Sequence, residues 1–294
     1  MSFVCSDCPR RCGAVRESHA GFGVCAQGML PKIARAALHL WEEPCVSMGN
    51  GSGTVFFSGC PLRCVFCQNA EISAGGFGKT VTVARLREIF LQLADQGARN
   101  INLVTPTHFV RAIAEALSEK PPIPVVYNSS GYDSAASLRM LKGKIQIYLP
   151  DFKYADAALA GRYSAAPDYP EVAAAAIAEM YAQVGAYELA EDGELRRGLM
   201  IRHLVLPGRL ENTYRVIDFV AENFPEGSVL FSLMSQYTPP KRALSLDELD
   251  RRLEVREYEK ALDYLDSSGI ENGFYQELSS ASEEYVPPFD LTGV

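Results

Sequence analysis

From residue 54 onward, short apolar runs alternate with longer stretches whose apolar residues recur at helical spacing. TVFFS (54–58), INLV (101–104), PVVYN (124–128), IQIYLPDFK (145–153), LMIRHLVL (199–206) and VLFSLMS (229–235) predict strands covered on both faces. Between them the spacing predicts helices over 82–98, 108–120, 133–141, 155–163, 171–184 and 211–223. In the first helix Val83, Leu86, Ile89, Phe90 and Leu93 share a face, Thr82 suits an N-cap and Gly97 a stop. A charged helix over 244–265 and a short segment, ENGFYQEL, follow. Strands separated by helices predict a parallel sheet with right-handed crossovers. Six such units close only part of an eight-unit ring, so the expected fold is α/β, a partial (β/α)6 TIM-like barrel.

The pattern leaves two segments outside the barrel. Residues 1–50 form a cysteine-rich head, 51–240 the barrel and 241–294 a helical extension. The chain has 294 residues and a net charge of -8 with no Lys/Arg run, which makes nucleic acid an unlikely partner. Residues 1–12 (MSFVCSDCPRRC) lack the apolar core of a signal peptide. The Ala-rich stretch 172–187 is broken by Glu179 and falls short of the ~20 apolar residues of a membrane span. A cytoplasmic location is the expectation, and there clustered cysteines hold metal or do redox chemistry rather than pair as disulfides. SAGGFGK (73–79) lacks the spacing of a phosphate loop, so it does not predict nucleotide triphosphate binding.

All eight cysteines lie within the first 67 residues. Cys60, Cys64 and Cys67 form CxxxCxxC just beyond the first strand, where parallel α/β proteins gather reactive groups. Thiolates suit zinc and iron–sulfur clusters, and three of them on a four-iron cluster leave one iron open to an outside ligand. A structural zinc completed by a distant residue is the plainer alternative.

CPLRCVFC after an apolar strand, ahead of six βα units, resembles the radical S-adenosylmethionine (SAM) superfamily. The resemblance implies a [4Fe–4S] cluster on Cys60, Cys64 and Cys67 whose open iron chelates SAM. Reductive cleavage then gives a 5′-deoxyadenosyl radical that abstracts hydrogen from a substrate. It places Phe66, before the last cysteine, near the adenine. WEEPCVSMGNGSGTVFFSGCPLRCVFCQN, NLVTPTHFV, APDYPEVA, IRHLVLPG and LMSQYTPP resemble, along nearly the whole chain, proteins related to pyruvate formate-lyase activating enzyme. That likeness implies an oxidoreductase served by a flavodoxin or ferredoxin, with a protein glycine as a possible substrate. A small molecule or another macromolecule is the alternative substrate, and a non-catalytic iron–sulfur or zinc protein the alternative class.

Where many members of the superfamily carry Gly-Gly-Glu after the second strand, this chain has VTPTHF, so Thr105, Thr107 and His108 become the candidates for SAM contacts. The fourth strand ends in Asp151-Phe152-Lys153, resembling a D-x-K element that contacts the cofactor. Asp suits ribose hydroxyls and Lys a carboxylate, although an ion pair between the two is the structural alternative. Asn128 and Ser129 end the third strand, where they could meet the ribose or the substrate. Arg202 and His203 lie on the fifth, where alternation sends them to opposite faces. Gln236 and Tyr237 follow the sixth strand and could line a pocket or simply pack.

Cys5, Cys8, Cys12 and Cys25 supply four thiols, enough for one more centre, either zinc or an auxiliary iron–sulfur cluster. A loop-rich head with few apolar residues leans towards zinc, because metal binding would help it fold. Cys45 reads as a small buried apolar residue. Glu42 and Glu43, beside it, read as solvated or facing the site.

Overall fold

A computed structural model describes residues 2–239, 246–278 and 286–294. The strands are β1 (Phe3–Val4), β2 (Val15–Arg16), β3 (Lys32–His39), β4 (Ser52–Phe57), β5 (Lys79–Thr80), β6 (Ile101–Val104), β7 (Val125–Ser129), β8 (Ile147–Pro150), β9 (Glu188–Leu189), β10 (Leu195–Leu204), β11 (Leu230–Met234) and β12 (Gly273–Tyr275). The helices are α1 (Ala70–Ser73), α2 (Val83–Asp95), α3 (Val110–Ala116), α4 (Ala135–Arg139), α5 (Ala157–Ser164), α6 (Tyr169–Val184), α7 (Leu210–Asn223) and α8 (Val255–Ser267).

All six expected strands form and run parallel, in the order β4-β6-β7-β8-β10-β11. The sheet is wider than the six-strand expectation. At one edge β3 pairs antiparallel with β4, and β5 with β3. At the other, β12 adds a seventh parallel strand from within ENGFYQEL. Strand β3 belongs to the head segment by sequence, so backbone hydrogen bonds join that segment directly to the barrel. β1 and β2 form a separate two-stranded hairpin.

The strand alternation sorts side chains between two cores. Val125, Tyr127, Tyr148, Leu199, Ile201, Phe231 and Leu233 pack with the helices. On the concave face, Val126, Ile147, Leu149, Met200 and Leu230 close around Cys45 and Val46. The segment after β3 therefore enters the barrel and fills its floor, with Leu195 N–H donating to the Cys45 carbonyl and Asn100 Nδ2 to that of Val46. Cys45 is a buried apolar plug, as expected.

Thr82 caps α2 by accepting from Arg85 N–H, and Gly97 follows the helix with φ of 85°. The charged C-terminal helix is shorter than its pattern suggests. Residues 244–245 lie outside the described part, Asp247–Leu249 form one 3-10 turn, and α8 starts only at Val255. The reason is a capping box between Glu254 and Glu257, tightened by Arg251, whose two terminal nitrogens each reach Glu257 at 2.7 Å. Among the described residues no helix is long and apolar enough to cross a membrane.

Candidate active site

The C-terminal ends of β4, β7, β8 and β10 meet around one group of charges. Lys153 Nζ donates to Asp151 Oδ2 at 2.6 Å and Arg202 Nε to Asp151 Oδ1 at 2.9 Å. Arg202 also donates to Asn128 Oδ1 at 2.7 Å and to Glu42 Oε2 at 3.3 Å, while Asn128 Nδ2 donates to Glu42 Oε1 at 3.2 Å. Burial alone would raise the Asp151 pKa. Arg202 and Lys153 outweigh it and hold the carboxyl below its ordinary value. Glu43 differs. Burial pushes it up to about 6 despite Arg202 and the Ser232 hydroxyl, which donates to its carboxylate at 3.0 Å. Deeper in the barrel, Asn102 is fully buried and its side-chain amide has no hydrogen-bond partner among the described residues.

Cys60, Cys64 and Cys67 follow β4; Cys60 feels the charges of Cys64 and Cys67, and Cys64 that of Cys67. Burial raises the Cys60 and Cys64 thiol pKa values, and the Lys153 ammonium pulls both down. Each sulfur already has a hydrogen-bond partner: Leu62 N–H at 3.4 Å for Cys60, Ser164 Oγ at 3.0 Å for Cys64, and Ser73 Oγ at 3.2 Å for Cys67. Among the described residues no three His, Cys, Asp or Glu side chains converge on one metal ion. On a four-iron cluster each thiolate takes a different iron, so three hydrogen-bonded thiols beside a cation suit that group.

Several residues act on this site through the backbone. Tyr169, wholly buried at the start of α6, donates to the carbonyls of Ser130 (2.8 Å) and Asp151 (2.9 Å) and accepts from Lys153 N–H (2.9 Å). Tyr154 OH lies 2.8 Å from Ser164 Oγ, extending the chain that ends on Cys64. Neither Tyr169 nor Ser164 was expected from sequence; the only available signal was Tyr169 within APDYPEVA. Thr105, at the end of β6, adopts φ of 61°, a strained conformation for a β-branched residue.

The structure thus gathers Asn128, Asp151, Lys153 and Arg202, with Thr105 ending the neighbouring strand. Phe66 is buried edge-on to Tyr237, ring centroids 5.9 Å apart. Tyr237 is core, its hydroxyl donating to the Leu249 carbonyl, and Gln236 accepts through its carbonyl from Gln68. The other expected residues go elsewhere. Ser129 donates to Asp133 at 2.6 Å, and Thr107 also reaches Asp133. His203 faces the helices between the Phe152 carbonyl (2.7 Å) and Thr213 Oγ1 (3.0 Å), a buried imidazole lowered to about 4. His108 bonds the Ser58 carbonyl and lines a cavity in the head.

The family model of the radical SAM superfamily matches residues 54–154, from β4 to just past Lys153. An uncharacterized protein of Methanocaldococcus jannaschii is 31% identical over 278 residues, 91% of this chain and 75% of that protein. The chain belongs to the radical SAM superfamily. Among solved structures, Streptococcus suis SuiB bound to the precursor peptide SuiA aligns with a TM-score of 0.51 at 16% identity, covering 76% of this chain and 48% of that one. This radical SAM chain therefore spans about half the length of SuiB. A spore photoproduct lyase variant aligns with a TM-score of 0.50 at 12% identity, over 75% of this chain and 74% of that one. The barrel of these proteins is the fold observed here.

Proposed function

We propose that the chain is a radical SAM enzyme whose site lies at the C-terminal ends of β4, β7, β8 and β10. The observation that carries this reading is the Lys153 ammonium. It is shared between Asp151 and the thiol pair Cys60 and Cys64, and so joins the cysteine loop to a polar cluster able to grip a zwitterion. Cys60, Cys64 and Cys67 would hold the [4Fe–4S] cluster. The loaded site supplies an electron that cleaves SAM and starts hydrogen abstraction.

The protein's own part is binding and orientation. Asp151, already ionised and fixed by Arg202, presents an acceptor suited to ribose hydroxyls. Lys153 offers a cation to the methionyl carboxylate. Asn128 and Glu42 position Arg202 rather than contact ligand. The strained Thr105 turns the β6 end towards the site in place of the missing Gly-Gly-Glu. Phe66 supplies an aromatic face for the adenine. Cys45 and Val46 close the floor and keep water out.

The likeness to pyruvate formate-lyase activating enzymes supports an oxidoreductase of that type, served by a flavodoxin or ferredoxin in the cytoplasm. It makes a protein glycine the first substrate to test and a small molecule the second. The head supplies a further metal centre. Anaerobic reconstitution with iron and sulfide, followed by dithionite and SAM, is expected to release 5′-deoxyadenosine and methionine. Cys64→Ala is expected to abolish the release. A protein that assembles its cluster yet shows no spectroscopic change with SAM is a metal carrier, and the proposal fails. Paramagnetic resonance of a partner lyase then separates the substrates, because a glycyl radical appears only in the first case.

A further inference from the structure

The four head cysteines come from three turns to line one cavity, without yet standing in metal-binding geometry among the described residues. Cys5 N–H donates to the Ala14 carbonyl at 2.9 Å, across the β1–β2 hairpin. Arg11 N–H closes the Cys8-x3-Cys12 turn on the Cys8 carbonyl at 3.1 Å, with Arg11 itself at φ of 41°. Cys25 arrives on a third turn, closed by Ala26 N–H on the Gly23 carbonyl at 3.0 Å. Gly23 packs close to Cys12: a Cβ there would stand 2.8 Å from Cys12 Sγ. All four cysteines line one cavity of about 10 Å³. That is the space of a single water-sized sphere. It suits one ion.

The wall of the cavity is chemically matched to an anionic thiolate centre. Arg16 is buried, with Nη1 3.7 Å from Cys5 Sγ and 3.8 Å from Asp7 Oδ2. Its guanidinium provides positive charge beside the sulfurs, as outer partners of metal ligands do. His108 belongs to the same wall. Its Nε2 lies 2.8 Å from the Ser58 carbonyl and so carries the hydrogen, which leaves Nδ1 an unprotonated, buried nitrogen with no partner among the described residues.

The head is also fastened to the CxxxCxxC loop. Arg10 Nε donates to the Pro61 carbonyl at 2.6 Å, Arg63 donates to the Val24 carbonyl, and a Cβ on Gly59 would lie 2.8 Å from the Cys25 carbonyl.

We infer that Cys5, Cys8, Cys12 and Cys25 bind one tetrahedral divalent ion of the zinc class, and that this ion buttresses the loop carrying Cys60, Cys64 and Cys67. Each thiol gives up its proton on binding and rotates its sulfur inward about χ1. No electron is transferred. Among ions suited to four thiolates, zinc outcompetes ferrous iron on intrinsic affinity. The inference rests on the radical SAM reading only for the identity of the loop it supports.

The test uses the whole chain. Purified protein is analysed for metals, and cobalt is then exchanged into the head. About one zinc per chain is expected, with cobalt giving the intense visible bands of a tetrahedral thiolate site. Cys12→Ser, at the exposed ligand, is expected to lose the zinc and the bands. Cys64→Ala is expected to keep both. If the bands and the zinc persist in Cys12→Ser, or if that change removes about half the iron and sulfide instead, the inference is overturned. Zinc content does not depend on SAM cleavage, so failure of one reading leaves the other standing.

Discussion

Arg202 Nε stands 2.9 Å from Asp151 Oδ1, across the parallel pair β10 and β8, and the same guanidinium reaches Glu42 and Asn128. The side chains of Arg202 and Asp151 are each only 14% exposed. Removing one partner therefore strands the other charge. Arg202→Met is expected to cost about 3 kcal/mol in urea unfolding, because Asp151 and Glu42 lose their shared cation. Arg202→Lys keeps the charge but not the three-way geometry, and is expected to recover only part of that loss. Wild-type stability in the Met variant would mean that Lys153 alone balances both carboxylates.

Ser164 Oγ donates to Cys64 Sγ at 3.0 Å. A hydrogen bond to a ligating sulfur favours the more electron-rich, reduced cluster. Ser164→Ala is therefore expected to lower the midpoint potential of the reconstituted cluster, read by resonance-monitored redox titration, with iron content unchanged. A potential that stays put would show that Tyr154, behind Ser164, takes over the contact.

Much of this geometry is legible in the sequence. Arg202 and His203 had to point to opposite faces, and they do: one meets Asp151, the other Thr213. The parallel strands announced themselves through continuous apolar runs. β3 did not, because KIARAALH interleaves Lys, Arg and His with its apolar residues, one strand in from the edge. β12 did not either, being three residues long and mostly exposed. Ser129 ends β7 and Thr107 opens the turn after β6, positions suited to a ligand, but Asp133 claims both. That link joins residues whose proximity follows from a turn, and no periodicity encodes it. The plug formed by Cys45 and Val46 was equally hidden, since a loop that folds back into a barrel leaves no pattern of its own.

Tyr169 is a positioning residue for the strand end that carries Asp151 and Lys153. Tyr169→Phe keeps the ring but leaves two carbonyls and one N–H without their partner inside the core. The expected loss is about 2 kcal/mol of stability. A weaker apparent affinity for SAM in an equilibrium titration is expected with it. An unchanged affinity together with the stability loss would confine Tyr169 to a purely architectural role.

Two buried imidazoles and one buried carboxyl set the acid limit of stability. Burial holds His108 at about 3 and His203 at about 4, below the unfolded 6.5, so each takes up a proton on unfolding as pH falls below that value. Stability therefore rises with pH through this window, by about 1.4 kcal/mol per pH unit for each histidine. Glu43 works the other way. Its folded value of about 6 exceeds the unfolded 4.5, so it contributes stability at low pH that is lost as pH rises through 6. Between pH 4.5 and 6 one histidine is cancelled, and the net slope from these three groups is about 1.4 kcal/mol per pH unit. His203→Gln is expected to flatten the profile by that amount, and Glu43→Gln to steepen it by the same.

Gly59 joins the two cysteine groups by contact. Its φ of 83° lies in the left-handed region, and a Cβ would sit 2.6 Å from Gln27 Cγ and 2.8 Å from the Cys25 carbonyl. Gly59→Ala carries about 1–2 kcal/mol of backbone strain before any displacement. The Gln27 side chain can swing aside, but the Cys25 carbonyl is backbone and moves only with its turn. The cost is therefore expected to exceed the strain alone, and the shift to reach both thiol groups, since Gly59 precedes Cys60 and presses on Cys25. Iron retained after reconstitution and metal retained in the head should fall together in this variant. If iron falls while the head metal stays, the strain is absorbed on the Cys60 side and the head is the stiffer of the two.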